Sequence, residues 1–148
     1  MAAPDMTIFV VASGHTSTGL LIQSGDLLFV NSGGTASATL VLAGGNETVL
    51  GTDISGTIDG GIETVSSGGT TINETVAAGG FVTVASGGKT SRTTVDAGSL
   101  EVVDPGGVTI STVLSGGTEL VESGSFASLT VIKAERLCSL AARRAAQR

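Results

Sequence analysis

A period of 19 residues runs through the chain. Glycine turns recur at Gly14, Gly25, Gly33 and Gly44, and again at Gly60, Gly68, Gly79, Gly87, Gly98, Gly106, Gly116 and Gly124. The steps alternate between 8 and 11 residues, except for one of 16 from Gly44 to Gly60 and one of 10 from Gly106 to Gly116. A short fixed period of this kind marks a solenoid, in which no unit buries its apolar face alone and stacked neighbours build a continuous core.

The residues before the turns set the type of solenoid. One column of β-branched residues falls at the end of the shorter steps, two or three residues before a glycine: Val11, Val30, Val49, Val65, Val84, Val103 and Val121. A second column falls at the end of the longer steps: Ile22, Val41, Ile58, Val76, Val95, Val113 and Val131. β-Branched side chains are stiff at χ1 and suit a pleated surface. Stretches such as Phe81-Val82-Thr83-Val84 read as short strands between glycine turns. No window before residue 133 carries the spacing of an amphipathic helix. The expected architecture is all-β, a parallel β-solenoid of about seven coils over residues 1–132. Equivalent strands then stack at ~4.8 Å, like side chain on like.

Charge divides the chain in two. Residues 1–132 hold twelve acids against Lys89 and Arg92, whereas residues 133–148 hold five bases and one acid. An acidic body argues against a nucleic-acid-binding role, which needs a basic footprint. The segment KAERLCSLAARRAAQR has no glycine, and its leucines and alanines fit a short helix. It is expected to be a basic helical cap over an open end, a disordered tail, or a segment foreign to the array. The single cysteine, Cys138, allows no internal disulfide. No stretch is apolar enough for a transmembrane helix, and the opening MAAPDMTIFVV has no signal-peptide pattern. Export is then expected to rely on a signal elsewhere. The 16-residue step reads as a coil shortened at a corner, with a kink or cation notch around Asp53 and Asp59 as the alternative.

Little catalytic chemistry is visible. His15, the one histidine, reads as a turn residue, and one His with one Cys makes neither a metal cluster nor a supported dyad. The Gly-Gly pairs have no phosphate-loop context. Glu47, Glu63, Glu101 and Glu119 recur at one position of successive units, with Val82 interrupting them. They read as an exposed acidic column that keeps the array soluble. Stacked like charges also raise pKa or recruit calcium, although the calcium-binding Gly-Gly-x-Gly-x-Asp repeat is missing. No other cofactor is expected. Thr16, Thr35, Thr70, Thr71, Thr90, Thr93, Thr94, Thr109 and Thr112 read as a hydroxyl-rich face that solvates the surface or accepts O-linked glycans. Two Asn-x-Thr sequons begin at Asn46 and Asn73.

The phrases VNSGGTASATLVLAGG, VSSGGTTINETVAAGG and VASGGKTSRTTVDAGS resemble the repeats of AIDA-type autotransporter adhesins. The match covers about residues 7–132. It implies a single-stranded, right-handed parallel β-helix at the bacterial cell surface or secreted. It also implies adhesion, autoaggregation or biofilm roles, and O-glycosylation in some members. A chain opening on such repeats also resembles the N-terminal region of bacterial proteins with a hedgehog/intein-like domain. The expected function is therefore a non-enzymatic structural or adhesive module. Its expected partners are other copies, end to end in filaments, or surface glycans and proteins. Two alternatives are a polysaccharide lyase or hydrolase of the β-helix type and a truncated or designed array without a role of its own.

Overall fold

A computed structural model of the chain describes residues 5–133. Its strands form three parallel sheets of seven strands each. The first sheet contains Ile8–Val11, Leu27–Val30, Asn46–Val49, Ile62–Val65, Phe81–Val84, Leu100–Val103 and Thr118–Val121, in that spatial order. Each of these strands opens one coil, so the chain is a β-solenoid of seven coils. The second strand of each coil joins the second sheet, from Thr16–Thr18 to Phe126–Ser128. The third strand joins the third sheet, from Leu21–Ile22 to Val131–Ile132. Every strand pairs with its equivalent one coil away, for example Val49 with Val65 and Val65 with Val84.

Three corners hold these coils. Between the first and second sheets, Ser66 to Gly69 make a representative turn. Gly68 has φ +84°, which favours glycine, and a Cβ on Gly69 would collide with the carbonyl oxygen of Val49 in the coil before. The corner between the third and first sheets uses a second glycine pair. The corner between the second and third sheets turns on a single left-handed residue: Gly19, Ala38, Ser55, Asn73, Arg92, Ser111 and Leu129 in successive coils, with φ between 52° and 69°. Six of these seven are not glycine, so this corner leaves no mark on the glycine spacing.

The irregular steps are corner deletions. From Asn46 to Ile62 the coil is 16 residues long, against 19 from Ile62 to Phe81. The strands keep their lengths, and the missing residues come from the turns at Gly51 and Gly60. One residue is likewise missing before Gly116, which corrects the second valine column. Leu114, not Val113, pairs with Val95 and points inward, and Ile132, not Val131, pairs with Leu114. Val113 stacks on Thr94 on the outside, and Val131 continues that outer column, 52% exposed.

Side chains facing inward split the core lengthwise. One half is apolar. Val11, Val30, Val49, Val65, Val84 and Val103 stack in one ladder, and Ile22, Val41, Ile58, Val76, Val95 and Leu114 in another. Val121 continues the first ladder into the seventh coil, where it is 43% exposed. Full burial of each such side chain is worth roughly 1.5–3 kcal/mol. The other half of the core is polar from the third coil onward, apart from Val82 in the fifth. The segment at residues 134–148, where a cap or tail is expected, lies outside the described residues.

Candidate functional site

The outer faces differ in chemistry. Residues alternating with the valine ladder of the first sheet face out as two columns. One runs Ile8, Leu27, Asn46, Ile62, Phe81, Leu100, Thr118, and the other Val10, Phe29, Thr48, Thr64, Thr83, Val102, Leu120. Several of these apolar groups are open to solvent, with Ile8 53%, Val10 56% and Leu120 51% exposed. The second sheet shows Thr16, Thr35, Thr52, Thr70, Lys89, Val108 and Phe126 outward, with Thr18, Ser37, Ile54, Ile72, Ser91, Ile110 and Ser128 beside them. His15 is exposed in its turn, its Nδ1 3.1 Å from the Ser13 carbonyl oxygen.

The acidic column is not on that surface. Glu47, Glu63 and Glu101 are at most 1% exposed and point into the solenoid, and Glu119 is half-buried. Each lies two residues before a ladder valine. The period of two in a strand therefore puts Glu63 on the same face as Val65, and Glu101 on the same face as Val103. That parity is the sequence signal that locates them. Five of the threonines assigned to a hydroxyl face also turn inward: Thr71, Thr90, Thr93, Thr109 and Thr112 are fully buried. Thr16, Thr35, Thr70 and Thr94 do not.

Two hydroxyl positions serve each glutamate. One is the centre of the second-sheet strand in the preceding coil. The other is the residue just after the left-handed corner in the same coil. Thr90 and Thr112 occupy these positions around Glu101 and donate to its two oxygens at 2.8 and 3.2 Å. Thr109 and Thr130 do the same for Glu119, at 2.7 and 2.8 Å. Burial still raises the Glu101 pKa, to about 7, against the opposing pull of Thr90.

Further down the axis the same two positions hold other residues. Around Glu47 they are Ala36 and Gly56, which have no side-chain donor. Around Glu63 they are Asp53 and Glu74, both acids. Asp53 is 1% exposed and Glu74 2%, and the repeat pattern of the sequence does not single out either as inward-facing. One oxygen each of Glu47, Asp53 and Glu63 lies within 4.8 Å of the others. Gly56 makes room for this group, because a Cβ there would collide with Asp53 Oδ2. Thr71 donates to Glu74 Oε2 at 3.3 Å, and neither oxygen of Glu47, Asp53 or Glu63, nor Glu74 Oε1, accepts a hydrogen bond. Burial raises the pKa of all four: Glu47 and Glu63 well above the usual range, Asp53 to about 6 and Glu74 to about 7. Repulsion from neighbouring carboxylates adds to the effect at Glu47, Glu63 and Glu74.

Among solved structures, the chain is similar to a hyper-glycosylated TibA fragment, residues 55–350, whose glycosylation is catalysed by TibC. The TM-score is 0.63 at 29% sequence identity, over 84% of this chain. The chain spans 60% of the length of that fragment. No protein-family model and no curated protein matches the chain. The array is thus a TibA-like β-solenoid repeat. No helix among the described residues is long and apolar enough to cross a membrane.

Proposed function

We propose that the chain is a non-enzymatic adhesive repeat module, displayed at a bacterial surface or secreted. The observation that carries this reading is the likeness to TibA at 29% identity over 84% of the chain, and the resemblance of the repeats to AIDA-type adhesins points the same way. The geometry supports it. The outer strip of the first sheet exposes apolar groups at Ile8, Val10, Ile62 and Leu120, which are open to contact with partners. Many weak contacts along a rigid repetitive face add by avidity. The buried carboxylates argue against the polysaccharide-cleaving alternative, since Glu47, Glu63 and Glu101 are closed off from any polymer. Autoaggregation through the same strip, or end to end through the outermost strands, belongs to this reading.

The outward Thr16, Thr35 and Thr70 extend it to sugar attachment, as in the hyper-glycosylated fragment. Thr90 and Thr109 are closed to a transferase by burial. The test is retention of beads carrying the chain on bacterial and epithelial cells, beside beads carrying albumin. Retention above albumin that falls when Ile62 and Phe81 are both changed to Thr, with the strand spectrum intact, supports the reading. Retention equal to albumin overturns it.

A further inference from the structure

We propose that Glu47, Asp53 and Glu63, with Glu74, hold one calcium ion inside the third and fourth coils. The polar half of the core follows a hydrogen-bonding rule. Glu101 and Glu119 each accept two threonine hydroxyls, one from the preceding coil and one from their own. Glu63 meets Asp53 and Glu74 at those two positions, and Glu47 meets Ala36 and Gly56. The chain therefore withdraws every hydroxyl donor around these two glutamates and adds two more acids. Buried carboxylates without donors must either hold protons or share a cation, since an unpaired buried charge costs several kcal/mol. Neither basic residue of the body serves. Lys89 and Arg92 are exposed on the outside of the array.

The ligand set selects the ion. Donor oxygens on opposite sides of a calcium ion stand about 4.8 Å apart, from a metal–oxygen distance of ~2.4 Å. One oxygen each of Glu47, Asp53 and Glu63 lies within 4.8 Å of the others, close enough for all three to reach one such ion. Seven carboxylate oxygens here accept no hydrogen bond: both of Glu47, Asp53 and Glu63, and Oε1 of Glu74. Calcium takes about 6–8 oxygen ligands in flexible geometry, whereas magnesium demands an octahedron and keeps several waters. A closed all-carboxylate cage fits the first ion and not the second. It also joins the shortened third coil to the fourth, so the ion would clamp these two coils together.

The experiment uses the full chain, unfolded in guanidinium and refolded with EDTA, with millimolar calcium or with millimolar magnesium. Metal content after desalting and the melting temperature are read together. The expected result is one tightly held calcium per chain and a melt about 5–10 °C higher than in EDTA, with no such shift in magnesium. In Asp53→Asn with Glu63→Gln, the retained calcium and the shift are both lost, while Glu101→Gln keeps both. If the double change does not fold, Asp53→Asn alone is read for a loss of calcium affinity of at least tenfold. Calcium that is not retained, a melt equal in calcium and EDTA, an equal shift with magnesium, or a shift surviving in the folded variants each overturns the proposal.

Discussion

Glu63 and Glu101 occupy the same position of the same sheet, two coils apart, and the chain treats them in opposite ways. Glu101 lies between Thr90 and Thr112, which replace water around its carboxylate. Glu63 lies between Asp53 and Glu74, which cannot donate unless one holds a proton. The two strands have the same length and the same in-register parallel pairing, although turn lengths nearby differ. What differs is the chemistry of two neighbouring side chains. A solenoid thus fixes where side chains meet, and the identity of the residues at those meeting points decides whether an acid is solvated, protonated or paired with a cation.

The largest effect is expected where an acid enters the apolar half of the core, which has no donor of either kind. Val84→Asp removes a fully buried ladder member and should cost more than about 4 kcal/mol. Circular dichroism melting reads it, and an unchanged strand spectrum and melt would mean that the inward register is wrong. Next comes pH. Glu101 has its folded pKa raised to about 7, above the unfolded value near 4.3. The folded state therefore binds the extra proton between those values. Its contribution is complete below about pH 4.3 and is lost as pH rises toward about 7, roughly 3–4 kcal/mol in all. Glu119 and Glu74 are the charged groups that face it. Denaturant unfolding of the chain and of Glu101→Gln, across pH 4 to 8 in metal-free buffer, should diverge in that sense, and parallel curves would refute it.

A smaller effect separates two threonines at one corner position. Thr112→Val strips a donor from Glu101 and should cost about 1–3 kcal/mol. Thr93, one coil earlier, has a buried hydroxyl without a partner. The glutamate it would serve is replaced by Val82. Thr93→Val should then be neutral or stabilising by up to about 1 kcal/mol. Equal losses at the two sites would show that threonine here matters for packing rather than for its hydroxyl.

Much of this architecture is legible in the amino-acid sequence. The glycine pairs and the two valine columns give the coil length, the parallel pairing and most of the core, because turn geometry and β-branching leave local marks. The third corner leaves none. Residues as different as Arg92 and Leu129 take its left-handed conformation. Counting three residues back from a glycine misplaces Val113, because the count ignores the deletion at Gly116. The acids mislead for another reason. An acid is usually a surface residue, and that expectation outweighs the alternation that puts Glu47 beside Val49. Gly56 looks like any other turn glycine until its neighbour Asp53 is seen to fill the space.

Carboxyl footprinting tests the inward column most directly. The folded chain is treated with a carbodiimide and glycine ethyl ester, and the modified sites are mapped by peptide mass. Glu47, Glu63, Glu74 and Glu101 should stay unlabelled while Asp5 and Glu122, which are exposed, react. Labelling of Glu47 and Glu63 at the rate of Glu122, in a chain that keeps its strand spectrum, would contradict an inward acidic column.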